Sequence, residues 1–179
     1  KTVKAYKWRY KHTKDFKFKD IVLFQTIAFY FDFEDNQLIE FGVCNGFQIL
    51  CESHLLPGGL LRNGHQQFIC KNVFITNETG NPYKIPVAPG EGRYYADEKT
   101  LDALENNGQV IFYYCDEKGS ITKEANPNGS TRNIAGICNE GRNVFGMMPH
   151  PERACSAVLG NTDGQEILKN LLMATELVS

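Results

Sequence analysis

The stretch Leu38-Ile39-Glu40-Phe41-Gly42-Val43-Cys44-Asn45-Gly46-Phe47-Gln48-Ile49-Leu50 decides how this chain is read. A short β-type run ends in Gly-x-Cys-x-Gly and passes directly into a helical segment, Asn45–Ser53. A residue on so tight a strand-to-helix turn has a strained backbone and no room for side chains two positions to either side, which is where Gly42 and Gly46 fall. The turn gives Cys44 two chemical advantages. Its sulfur lies at a helix N-terminus, where the positive end of the dipole stabilises negative charge. The backbone N–H of Asn45 points to where an oxyanion would form on an attacked carbonyl. The plainer alternative is a buried cysteine between two turn glycines, and this motif alone does not separate the two.

A second stretch, Met148-Pro149-His150-Pro151-Glu152-Arg153, follows a Val/Phe/Met strand. Pro151 biases His150 toward an extended backbone, and extended residues two apart project to one side, so Glu152 is expected to reach the imidazole. A carboxylate on one ring nitrogen fixes the tautomer and leaves the other nitrogen to take a proton from a thiol. Cys44, His150 and Glu152 then form the nucleophile, base and orienting carboxylate of an acyl-transfer site. Taken alone, the segment reads equally as a Pro-rich surface loop with an incidental ion pair. The other histidines, His12, His54 and His65, sit in polar or basic surroundings and read as solvent-exposed.

Around these stretches the 179 residues, 42% apolar and 22% charged, have the size and balance of one soluble globular domain over residues 1–179. No apolar run reaches the roughly 18–20 residues of a membrane span, and no signal-peptide pattern opens the chain. Six cysteines (Cys44, Cys51, Cys70, Cys115, Cys138, Cys155) occur without a CxxC pair. That pattern predicts reduced thiols in a cytoplasmic protein and no metal site, with all but Cys44 acting as small buried hydrophobes. Residues 1–19 carry eight Lys/Arg against the one acid Asp15, and Tyr6, Trp8 and Tyr10 alternate among them. Period-two alternation fits a half-buried strand with a solvated Lys face; a nucleic-acid or membrane patch is the rival reading.

The expected strands are Val3–Tyr10, Asp20–Phe24, Leu38–Val43, Phe68–Thr76, Lys84–Val87, Gln109–Cys115, Ile134–Cys138 and Val144–Met148, the last two forming a hairpin over Asn139-Glu140-Gly141-Arg142-Asn143. Asp97 is placed to cap a helix reaching about Asn106 and ended by Gly108. A capping-box-like Asp163-Gly164-Gln165-Glu166 opens another helix, whose stripe Ile167, Leu168, Leu171, Leu172 faces the core. Mixed strands and helices of this kind indicate an α/β sheet with an antiparallel portion.

The Cys44 and His150 stretches together closely resemble the class I glutamine amidotransferases, in the branch that forms glutaminase subunits of phosphoribosylformylglycinamidine synthase. The similarity runs through Leu55-Leu56-Pro57-Gly58, Leu61-Arg62-Asn63, Phe68-Ile69-Cys70-Lys71, Gly90-Glu91-Gly92-Arg93-Tyr94 and Asn126-Pro127-Asn128-Gly129-Ser130, and covers roughly residues 38–179. It implies a flavodoxin-like α/β domain with a mostly parallel sheet. It also implies hydrolysis of L-glutamine by Cys44, His150 and Glu152, with Gln48 helping to hold the substrate and the Asn45 N–H serving the oxyanion. The implied partners are a large synthetase subunit, which uses ATP and magnesium to make the amidine, and a small bridging subunit. This chain would carry no cofactor of its own, and neither nucleic acid nor membrane is expected to bind.

The chain departs from the family twice. Pro89 stands where the family carries a histidine before Gly-Glu-Gly-Arg-Tyr. No glycine precedes Gly42, so the upstream Pro-Gly-Gly loop that supplies a second oxyanion donor has no counterpart. The chain opens on Lys1 without Met, and the spacing from Leu23 to Cys44 is short; residues are therefore expected to be lacking before Lys1 and between about Phe24 and Leu38, with residues 1–40 divergent or incomplete. Two other functions stay open at this point: a non-catalytic scaffold for the synthetase, and a thiol esterase or peptidase built on the same three residues.

Overall fold

A computed structural model describes residues 27–32, 38–77, 80–173. Nine strands run in the order β1 (Ile27–Asp32), β2 (Leu38–Val43), β3 (Gly59–Leu61), β4 (Lys71–Thr76), β5 (Pro82–Val87), β6 (Arg93–Tyr95), β7 (Val110–Cys115), β8 (Ile134–Cys138) and β9 (Val144–Met147). Three α-helices accompany them: α1 (Asn45–Glu52), α2 (Glu98–Asn106) and α3 (Asp163–Met173). Seven strands join in one sheet of order β1-β2-β9-β8-β7-β4-β5, and β3 pairs with β6 in a separate ribbon.

The central strands β8 and β9 are buried at every position, because both faces of the sheet are covered. One face packs Phe41, Val43, Ile75, Ile85, Tyr114, Phe145 and Met147 against Ile167, Leu168 and Leu171 of α3. The other packs Val110, Ile137 and Val144 against Phe47 and Leu50 of α1 and Leu101 and Leu104 of α2. This is the layered α/β arrangement, with helices on both sides. Asp97 caps α2 as expected, accepting from the Thr100 N–H at 3.0 Å. Gly108, with φ 62°, follows that helix, and its N–H bonds the Glu105 carbonyl at 3.1 Å. The β8–β9 hairpin also forms where the sequence places it, antiparallel over Gly136↔Met147 to Cys138↔Phe145.

The α/β class holds, but the balance of the sheet differs from the expected one. Among the described residues only β2–β9 is parallel; β1–β2, β9–β8, β8–β7, β7–β4 and β4–β5 are all antiparallel. Short turns can join only antiparallel neighbours, as at β8–β9, and a parallel pair needs a crossover of a dozen or more residues. β2 and β9 are separated by most of the chain and have that room; β4 and β7, with β5, β6 and α2 between them, have it too yet pair antiparallel. The segment before β2, where the spacing to Cys44 is short, contains β1, paired antiparallel from Ile27↔Val43 to Asp32↔Leu38. The expected strands Val3–Tyr10 and Asp20–Phe24, His12, and the rest of the stretch in which residues were expected to be lacking fall outside the described residues. β5 closes the other edge and carries Pro82 and Pro86, residues an edge strand tolerates because their lost N–H groups face no neighbour.

Candidate active site

The parallel pair β2–β9 ends with Val43 beside Met147, and the Cys44 N–H extends the ladder to the Met147 carbonyl at 2.9 Å. The same end of the sheet therefore carries Cys44 on one strand and, three residues past Met147, His150 on the next. Cys44 turns sharply there, with φ 55° and ψ −108°. A positive φ at a residue with a side chain is strained and persists only where the surroundings over-determine it. Gly42 supplies part of that constraint: a Cβ on it would stand 2.6 Å from the Gly46 carbonyl carbon and 2.6 Å from Leu50 Cδ1. Only a glycine lets the first turn of α1 fold back so closely on β2. As first residue of α1, Asn45 has no carbonyl within the helix for its N–H, and that donor lies next to the sulfur.

His150 is buried, its side chain 4% exposed, and its Nδ1 donates to Glu152 Oε1 at 2.7 Å. The expected pairing is present, but its geometric basis is different. Pro151–Ala154 forms a 3-10 turn with Pro151 at its start, and His150 stands before it at φ −104°, ψ 82°. The fixed φ of proline suits the first position of a helical turn as well as it restrains the residue before it, and the turn swings Glu152 back under the ring. Glu152 Oε1 also meets Arg153 Nε at 3.5 Å. The His150 N–H is fixed by the Pro86 carbonyl of edge strand β5 at 2.8 Å.

With Nδ1 committed to Glu152, Nε2 is the nitrogen able to accept a proton, and it is buried without a hydrogen-bond partner. Cys44 lies near enough to influence it without a closed hydrogen bond. Burial pulls the imidazole pKa down, but Cys44 and Glu152 outweigh it and hold His150 above the ordinary histidine value. A base restrained by a carboxylate, with its free nitrogen turned toward a thiol at a helix N-terminus, can take the thiol proton and return it to a leaving amine.

Two other expected residues lie nearby with different partners. Asn45 is exposed at the start of α1. Gln48, one turn on, donates its side-chain N–H to Glu52 Oε1 at 2.9 Å. All six cysteines are free. Burial pushes Cys51 up to about 12 and Cys115 to about 11, and raises Cys138 and Cys155 as well. Cys70 is exposed, which corrects its reading as a buried hydrophobe; it is Ile69 beside it that turns into the core, while Phe68 and Lys71 are exposed with Cys70. His54 and His65 are exposed as expected. No group of three His, Cys, Asp or Glu side chains suited to a metal ion occurs among the described residues, nor is any helix there long and apolar enough to cross a membrane.

Sequence reasoning missed a buried polar bridge beside the site. The Asn63 amide donates to the Gln67 and Pro89 carbonyls at 2.7 and 2.8 Å and accepts from the Gly92 N–H at 3.1 Å. Asn128 donates to the Gly92 carbonyl at 2.8 Å and to the Tyr114 hydroxyl at 3.4 Å, and accepts from the Ser130 N–H at 3.0 Å. Tyr114 is fully buried; desolvation raises its pKa, hydrogen bonding by Asn128 opposes this, and the nearby Cys44 adds to the rise. The only signal in the sequence was that Asn63, Gly92 and Asn128 lie in motifs quoted above for other reasons.

Residues 13–173 match the family described as the CobB/CobQ-like glutamine amidotransferase domain. The chain is 48% identical over 153 residues to phosphoribosylformylglycinamidine synthase subunit PurQ of Aquifex aeolicus, covering 79% of this chain and 67% of that protein. It is 51% identical over 142 residues to the subunit of the same name from Thermomicrobium roseum, covering 73% of this chain and 60% of that one. The solved structure of PurLQS from Thermotoga maritima contains a chain alike with TM-score 0.60 at 35% identity, over 79% of this chain and 64% of that one. This chain thus spans about 60–67% of the length of these relatives. It belongs to the CobB/CobQ-like glutamine amidotransferase family.

Proposed function

We propose that this family member hydrolyses the side-chain amide of L-glutamine at Cys44, His150 and Glu152, as the glutaminase subunit of phosphoribosylformylglycinamidine synthase in purine biosynthesis. The observation that carries the reading is the strained Cys44 turn beside a buried His150 that holds Glu152 at 2.7 Å. The Cys44 thiol gives its proton to His150 Nε2 and its sulfur attacks the amide carbon. The oxyanion that forms is met by the Asn45 N–H. His150 returns the proton to the departing nitrogen, ammonia leaves, and a glutamyl thioester remains. Water, deprotonated by His150, then attacks the thioester; glutamate departs and the thiol is restored. Glu152 holds one tautomer throughout and stabilises the imidazolium when it forms. Gln48 is assigned to the substrate, which requires it to give up its bond to Glu52.

The names of the relatives, subunit PurQ and the PurLQS assembly, support a partner for the released ammonia. That partner is a large synthetase subunit using ATP and magnesium, joined by a small bridging subunit, in the cytoplasm. The deciding experiment compares glutamine turnover by the parent and Cys44→Ala, each with synthetase and ATP. Loss of turnover in the variant is expected; equal turnover would reduce the chain to a scaffold. The scaffold reading draws on one specific observation, the lack of any glycine between Lys1 and Phe41, since losing one oxyanion donor costs on the order of 100–1000-fold. A panel of esters and peptides separates the glutaminase from other thiol hydrolases.

A further inference from the structure

The turn that carries Glu152 is exposed to displacement: it is a single 3-10 turn, Pro151–Ala154, outside the sheet. Two neighbours confine it. On one side is edge strand β5, whose Pro86 carbonyl takes the His150 N–H at 2.8 Å. On the other is the first turn of α3, packed so closely that a Cβ on Gly164 would overlap the Pro151 carbonyl oxygen and stand 2.7 Å from the Pro151 carbonyl carbon and 2.9 Å from the Ala154 oxygen. Gly164 is buried. The helix is in turn tied to β5: the Lys84 N–H donates to Asp163 Oδ2 at 2.8 Å, and the Tyr83 hydroxyl donates to Glu166 Oε1 at 3.2 Å. Strand, helix and turn therefore form a closed clamp around Pro151. Its closure depends on one position having no side chain.

We propose that Gly164 is a positioning residue for the His150–Glu152 pair: by lacking a Cβ it lets α3 bear on the Pro151 carbonyl, and this contact fixes the turn that presents Glu152 to the imidazole. The inference rests on the reading of His150 and Glu152 given above. Helix propensity by itself would favour alanine over glycine in α3. Retaining glycine here has a steric reason and not a helical one. With alanine the helix or the turn must move, and Glu152 is the nearest functional group on the moving part.

The readout is the titration of the His150 imidazole, followed by NMR of full-length protein labelled at histidine and assigned with a His150→Gln variant. Besides Cys44 and Glu152, the charged groups around the clamp are Arg153 on the turn, Lys84 on β5, and Asp163 and Glu166 on α3, with the Cys155 thiol at the turn's end; the variants change none of them. In Gly164→Ala, His150 is expected to titrate lower than in the parent, because a loosened Glu152 stabilises the imidazolium less. The kcat for glutamine hydrolysis is expected to fall about 10–100-fold, the scale of an ångström-sized misplacement, with KM little changed. Asn170→Ala is the control: it changes an exposed residue of the same helix away from the turn, and should leave the titration unmoved.

If Gly164→Ala does not fold, Tyr83→Phe takes its place, freeing α3 from β5 without adding volume; a smaller shift in the same direction is expected. A His150 titration unmoved in a folded Gly164→Ala, or in Tyr83→Phe where that variant is used, overturns the proposal. Turnover that survives Cys44→Ala would instead overturn the glutaminase reading, while the NMR titration still decides the role of Gly164.

Discussion

Two buried polar regions lie close together at this end of the sheet and are finished differently. In the Asn63–Gly92–Asn128–Tyr114 bridge each asparagine amide both donates and accepts at 2.7–3.4 Å. At the Cys44 end, His150 Nε2 and Glu152 Oε2 are buried and have no partner. Unpaired buried polar atoms cost free energy, and a protein holds such atoms where a ligand or reacting group will use them. The bridge therefore belongs to stability and the open pair to chemistry. Substitutions on the two sides should fail in different ways.

The largest contrast is at the nucleophile. Cys44→Ala removes a small, partly buried thiol, so the fold should stand, while glutamine turnover with the synthetase falls on the order of 10⁴–10⁶-fold, the scale of losing a covalent nucleophile. Turnover within tenfold of the parent in a steady-state assay would break the distinction at its centre. Glu152→Gln comes next. The amide can still accept from Nδ1 but no longer supplies charge, so kcat should drop roughly 10²–10⁴-fold and the His150 pKa should move down. An unchanged imidazole titration by NMR would mean that Glu152 is not what raises it.

On the bridge the order reverses. Asn128→Ala strands the Gly92 carbonyl, while the Ser130 N–H keeps Asn126 Oδ1 at 3.1 Å; the change should cost about 1–3 kcal/mol, or very roughly 2–12 °C in Tm for a chain of this length. The His150 titration should stay with the parent. A thermal scan showing no loss, or a moved imidazole, would merge the two regions into one.

The chemistry was more legible in the sequence than the architecture. Gly42, Cys44 and Gly46 announce the elbow because a tight turn leaves so few residues able to occupy it, and His150 with Glu152 are only two positions apart. The cause of their meeting differs from the extended backbone that Pro151 predicts at His150: Pro151 starts a 3-10 turn, and one proline is compatible with both. The sheet's antiparallel majority was hidden because strand direction depends on which distant segments pair. The ribbon β3–β6 was missed since three-residue strands show no alternation. Asn63 and Asn128 read as loop residues because asparagine in a Gly/Pro context is the usual signature of a turn; only burial reveals that their side chains bridge Gly92. Gly164, likewise, read as part of a helix start, and its contact with Pro151 lies in tertiary structure.

The smallest effect expected is in the dependence of stability on pH. Burial lowers the His150 pKa, but Cys44 and Glu152 together hold it above the ordinary value, so the folded state binds this proton more tightly than the unfolded chain. The stabilisation is complete below the ordinary histidine range, near pH 6.5, and is lost as pH rises through the higher folded value. Denaturant midpoints of the parent should thus decline across that interval. Asn128→Ala, though less stable throughout, should keep the parent's slope, because its lesion carries no titrating group. Glu152→Gln should flatten the slope, since without the carboxylate less remains to oppose burial. Parallel curves for the parent and Glu152→Gln would show that the coupling to Glu152 contributes nothing to folding, and would leave the open pair distinguished from the bridge by its chemistry alone.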